Sequence, residues 1–127
     1  MFIRQNSFAD ISHYKSIDFN KYKSRMLICK ATEGCFMIDP SFKKNQSSCR
    51  EKGITFGAYH FFRVNTDAKI QAHHFLSTVV GFNFPPILDI ETLDGQTNSF
   101  CKNAIADILK NFHQALDLIK NHNLNKQ

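Results

Sequence analysis

Four runs with strand character, each followed by a stretch that reads as helix or helical turn, constrain this chain more than any other feature of its sequence. Parallel strands need a crossover connection, and a repeated strand-then-helix order supplies one each time. The expected class is therefore α/β with a parallel sheet. The four runs are Phe8–Ser12, Met26–Ala31, Ile54–Phe62 and Ile87–Glu91. Met26–Ala31 is almost continuously apolar, as expected for a strand covered on both faces, and Lys30 is its anomaly.

The intervening segments carry helix signals. A short helical turn is expected over Asp18–Lys23, with Asp18 as its cap. Ser41–Lys52 reads as a helix capped by Ser41 and stopped by Gly53. From Thr66 or Asp67, either able to cap, the apolar residues Ala68, Ala72, Phe75, Leu76, Val79 and Val80 fall on one helical face. Pro85-Pro86 then forbids helix and launches the fourth strand. After a polar loop over Thr92–Asn98, Ala104, Ile105, Ile108, Leu109, Phe112, Ala115, Leu116 and Ile119 keep a 3.6-residue period, placing an amphipathic helix at about 99–120. The tail Asn121–Gln127 is expected to fray.

With 127 residues, of which 43% are hydrophobic and 13 are Phe, the chain supports one domain with a real core, so disorder and a second domain are excluded. The net charge of +5 suits an anionic partner in principle, but the basic residues are dispersed. Lys43, Lys44, Arg50 and Lys52 fall on an expected exposed helix face. No nucleic-acid motif accompanies them, so nucleic acid is not expected as a partner. The start lacks a basic stretch leading into a long apolar run, and no window is apolar enough to span a membrane. A soluble product without a conventional export signal is expected. Cys29, Cys35, Cys49 and Cys101 have no metal or redox spacing and read as free thiols, with Cys29 and Cys101 as small core residues. His73 and His74 are neighbours on a helix and diverge, so neither a metal nor a cofactor is expected.

Asp89 and Glu91 carry the chemistry. Two residues apart on a strand, they leave the same face with Cα atoms roughly 6.5 to 7 Å apart. Repulsion and partial burial then raise at least one pKa, giving a protonated acid beside an ionised group. Glycosidic cleavage uses that division of labour. Both lie at the C-terminal end of their strand, where parallel α/β folds place active sites, and Asp10 occupies the comparable place on the first strand. By spacing alone, a D-x-E pair also fits a solvated strand end or a metal-binding pair. Lys30 either pairs with Glu33 or Asp10 or carries its head to solvent. Tyr59 and His60 must face opposite sides of their strand, so at most one enters the pocket; Phe61 and Phe62 read as core.

Six blocks appear in the order found in glycoside hydrolase family 25: Asp10-Ile11-Ser12-His13-Tyr14, Ile17-Asp18-Phe19, Lys30-Ala31-Thr32-Glu33-Gly34, Asp39-Pro40-Ser41-Phe42, Gly57-Ala58-Tyr59-His60-Phe61-Phe62-Arg63 and Leu88-Asp89-Ile90-Glu91. The chain resembles that family over about 9–91. The resemblance implies a (β/α)-barrel-type enzyme that cuts the β-1,4 bond between N-acetylmuramic acid and N-acetylglucosamine of bacterial peptidoglycan. It implies Glu91 as general acid and then base, and Asp89 orienting the substrate's 2-acetamido group as internal nucleophile. Asp10 completes the acidic floor, and Tyr59, Lys30 and Glu33 are implied as substrate-binding. A direct inverting displacement by water stays open beside this substrate-assisted route. Phe19 stands where the family often has Trp.

A complete eight-stranded barrel takes about 200 residues or more. The expectation is thus a single domain over 1–127 truncated to about four β/α units, half of a barrel. Such a half exposes strand edges and an apolar sheet face. A homodimer or a separately encoded C-terminal half would cover them. The alternative to an enzyme is a catalytically silent remnant serving as a cell-wall-binding or interaction module.

Overall fold

The computed structural model describes residues 8–79 and 85–125. Side chains from Leu118 onward are not part of that description, so the expected contributions of Val80 and Ile119 to helical faces lie outside the described residues. The elements are β1 (Ala9–Ile11), β2 (Met26–Glu33), β3 (Met37–Ile38), α1 (Phe42–Lys52), β4 (Thr55–Phe61), α2 (Ala68–Thr78), β5 (Ile87–Asp89) and α3 (Asn98–Asn125). The sheet order is β1-β2-β4-β5, all parallel, with β3 added antiparallel on β2. The α/β class with a parallel sheet is thus present.

Register assigns the two faces. Asp10 pairs with Ile28, Lys30 with Tyr59, Tyr59 with Ile87, and Phe61 with Asp89. Paired residues in a sheet point the same way and alternate along each strand, so Asp10, Ile28, Lys30, Tyr59, Phe61 and Asp89 share one face. Ile11, Leu27, Cys29, Phe56, Ala58 and His60 share the other, and all three helices pack there. Phe42 of α1 lies 5.6 Å from Phe56 between ring centroids, Phe75 of α2 5.7 Å from His60, and Phe112 of α3 6.4 Å from His60. Phe62, Phe75, Ile11, Leu27 and Ile108 are fully buried in this layer. Cys29, Cys49 and Cys101 are buried free thiols.

Some local expectations hold and others change. The short turn expected over Asp18–Lys23 is present, with the Lys21 and Tyr22 amides both on the Asp18 carbonyl. Asp18 does cap it, accepting from Asn20 N at 2.9 Å. At its end the Tyr22 hydroxyl ties β1 to β2, accepting from Ala9 N and donating to the Met26 carbonyl. Ser41 occupies the start of α1 without a side-chain capping bond; the Asp39 carboxylate instead takes the Ser41 amide at 2.9 Å. Gly53 stops α1 in the left-handed region, at φ 66°. Asp67 caps α2 by accepting from Ile70 N at 2.8 Å. Helix α3 continues through Asn121–Asn125, where fraying was expected.

Two departures shape the site. Strand β2 runs past Ala31 to Glu33, then turns through Gly34, whose φ of 57° suits glycine, into the unforeseen β3. Strand β5 stops at Asp89, leaving Glu91 on a loop. The ladder ends there because Phe62 N takes the Asp89 carbonyl, whereas the next two amides of that chain leave: Arg63 N goes to Gln71 Oε1 and Val64 N to Asp94 Oδ2.

Candidate active site

The open sheet face brings Asp10, Lys30, Tyr59 and Asp89 to the C-terminal ends of four adjacent parallel strands, with Glu91 just beyond β5. Asp10 and Glu91 are exposed, Tyr59 and Asp89 half-buried, and Lys30 is only 5% exposed. Burial, the hydrogen bond with Glu91 and the charges of Glu91 and Asp10 together push the Asp89 carboxyl up to about 6, against a smaller opposing effect of Lys30. Asp89 therefore keeps its proton to higher pH than an ordinary carboxyl, beside the Glu91 carboxylate. Burial, then the charges of Asp10, Asp89, Asp39 and Glu91, push the Tyr59 phenol up, so its hydroxyl stays protonated and able to donate.

Lys30 resolves toward Glu33, with Nζ 2.6 Å from Glu33 Oε1. Partners three apart on a regular strand would face opposite ways. A bulge between Lys30 and Thr32 shifts the register, so Thr32 pairs with His60 and Glu33 with Phe61, and Glu33 joins Lys30 on the open face. The ammonium also lies 5.1 Å from the Phe61 ring centroid and 5.8 Å from that of Tyr14. Phe61, expected in the core, is thus half-buried on the site face, whereas Phe62 is fully buried.

Residues not singled out from the sequence complete the frame. Arg63 bridges Glu33 (Nη2 to Oε2, 3.1 Å) and Asp94 (Nη1 to Oδ1, 2.7 Å). Burial works against ionising Glu33, but hydrogen bonds from Lys30 and Arg63 outweigh it and hold the carboxyl below its ordinary range. Asp39 is buried and accepts from both the backbone N and Nδ1 of His13, fastening the loop after β1. Arg63 was visible as a cation just past a strand end, and Asp94-Gly95 as a turn signal; neither revealed its partner. His60 lies on the helix face, between Thr32 and Gln71, away from the pocket. His73 is exposed and His74 bonds the Met37 carbonyl. Phe19 packs against the core.

The model for glycosyl hydrolases family 25 matches residues 9–124. The chain belongs to this family. Among relatives of family-25 chains like this one, the uncharacterized protein YegX of Escherichia coli (strain K12) is 40% identical over 74 residues, covering 57% of this chain and 27% of that protein. Lysozyme M1 of Streptomyces globisporus is 37% identical over 92 residues, covering 65% and 31%. The structure of a family GH25 lysozyme from Aspergillus fumigatus superposes with a TM-score of 0.73 at 28% identity, covering 84% of this chain and 58% of that one. The family-25 chain thus spans about a third or less of these two relatives and somewhat over half of that structure.

Proposed function

We propose that this family-25 chain is a muramidase, cutting the β-1,4 bond between N-acetylmuramic acid and N-acetylglucosamine in bacterial peptidoglycan. The observation that carries the reading is the neighbouring carboxyls of Asp89, with its pKa raised to about 6, and Glu91 at the C-terminal edge of a parallel sheet, flanked by Asp10 and a protonated Tyr59. A lysozyme name among its relatives supports the substrate class.

In the proposed sequence, binding of the substrate's acetamido N–H to Asp89 moves the proton held by Asp89 onto Glu91, and ionised Asp89 accepts from that N–H. Glu91 donates its proton to the leaving glycosidic oxygen as the acetamido carbonyl oxygen attacks the anomeric carbon, forming a cyclic intermediate. Glu91, now a carboxylate, takes a proton from water, which opens that intermediate. Tyr59 and Asp10 orient the sugar, and Lys30 with Glu33 braces the floor. The product keeps the β configuration; an α product, read by proton NMR immediately after cleavage, would instead mark direct displacement by water.

The truncated-barrel reading belongs to the same proposal. Among the described residues, β1 pairs only with β2 and β5 only with β4, so both outer edges are available for further strands. Release of reducing sugar from purified peptidoglycan tests the function. Glu91→Gln is expected to lower the rate by about 100-fold or more, and equal release by both proteins refutes the enzymatic reading in favour of a wall-binding module.

A further inference from the structure

Glu91 stands two residues beyond the last residue of β5 and is exposed, so neither the sheet ladder nor packing fixes it against Asp89. What fixes the loop that carries it is Asp94. One oxygen of that carboxylate accepts from Arg63 Nη1 at 2.7 Å and from Thr92 Oγ1 at 2.9 Å; the other accepts from Val64 N at 3.1 Å. Arg63 in turn holds Glu33 through its second nitrogen and lies 5.0 Å over the Phe61 ring, so its fork is seated on β2 and β4. Asp94 adopts a left-handed φ of 49°, the single positive φ among described non-glycine residues. Asp tolerates that region better than most residues, and the contacts of its carboxylate hold it there. Gln96 N closes the turn on the Leu93 carbonyl at 2.9 Å.

We propose that Arg63 and Asp94 are a positioning pair, whose forked contact pins the loop after β5 to the ends of β2 and β4 and thereby sets Glu91 against Asp89. Neither residue touches the reacting atoms in the route above. The inference deepens the proposed function and rests on it for its catalytic consequence, but the pinning itself is measurable without activity.

The readout is the carboxyl carbon of Asp89, followed by NMR through a pH titration. The groups facing it are Asp10 from β1, Lys30 from β2, Tyr59 from β4 and Glu91 from the loop. Arg63→Lys keeps the positive charge and loses the planar fork that spans two carboxylates. It is expected to lower the apparent Asp89 pKa by about one pH unit and to speed exchange of the Gln96 amide, as Glu91 drifts away. Arg63→Gln makes the sign decisive. Losing a nearby cation would by itself raise a carboxylate pKa, whereas release of Glu91 lowers it. A fall in both variants supports the pinning; an unchanged or raised value in folded Arg63→Lys overturns it. Glu91→Gln serves as the positive control, since removing that charge must lower Asp89 too. In turnover, Arg63→Lys is expected to lower kcat about tenfold with little change in KM. If Glu91→Gln leaves activity intact, the muramidase mechanism fails while the titration still decides the pinning.

Discussion

His60 shows how one residue can be read for the wrong reason or the right one. It is fully buried, taking a hydrogen bond from the Thr32 hydroxyl on Nδ1 and donating Nε2–H to Gln71 Oε1. Gln71 also accepts from Arg63 N and donates to the Arg63 and Thr66 carbonyls. Burial holds the imidazole down to about 4, against a modest upward pull from Gln71. A depressed histidine stabilises fully above the unfolded value of about 6.5, and that contribution is lost as pH falls from there toward 4. The term is on the order of 3 kcal/mol. Asp89 acts in the opposite sense: its raised carboxyl costs stability when ionised at pH 7, and that cost is relieved progressively as pH falls from about 6 toward the ordinary carboxylate range. His60 is the more deeply buried, so urea midpoints are expected to drop between pH 6.5 and 4, with the His60 ring signals staying neutral until the pH approaches 4. Gln71→Ala strands several buried partners and is expected to cost about 3 kcal/mol in urea unfolding. For activity, kcat/KM is expected to decline as pH rises past about 6, where Asp89 loses its proton; a profile flat from pH 5 to 8 would detach Asp89 from the chemistry.

At the scale of elements, the bulge in β2 and the early end of β5 matter most. The bulge turns an i, i+3 pair into a same-face ion pair, which alternation along a regular strand would forbid. Short β5 leaves Glu91 to be held by side chains. Helix α3 was the easiest element to read, because its apolar period persists over several turns. Its buried side is Cys101, Ile108, Phe112 and Ala115, whereas Leu109 is 47% exposed. Ile108→Ala is therefore expected to cost about 2 to 5 kcal/mol and Leu109→Ala well under half as much, both by urea denaturation. Equal costs would mean that α3 docks differently from the arrangement described.

For the whole molecule, the consequence of the fold is its asymmetry: three helices cover one sheet face, while the other carries the site. With β1 and β5 each paired on one side among the described residues, the half-barrel reading predicts association through the open edges. Light scattering after size exclusion is expected to give a dimer mass, or a heteromer once a C-terminal half is supplied; a well-behaved monomer at all concentrations would argue against self-pairing. Hydrophobic period, proline placement and the order of strands and helices were legible in the sequence, since each depends on residues close along the chain. So was the grouping of Asp89 with Glu91 near a strand end. What only the tertiary structure decided was the partner of each charge. The release of Glu91 from the ladder and the clamp from Arg63 to Asp94 depend on contacts between residues distant in sequence. Local propensity fixes where a strand can start, but competition for backbone amides across the sheet fixes where it stops.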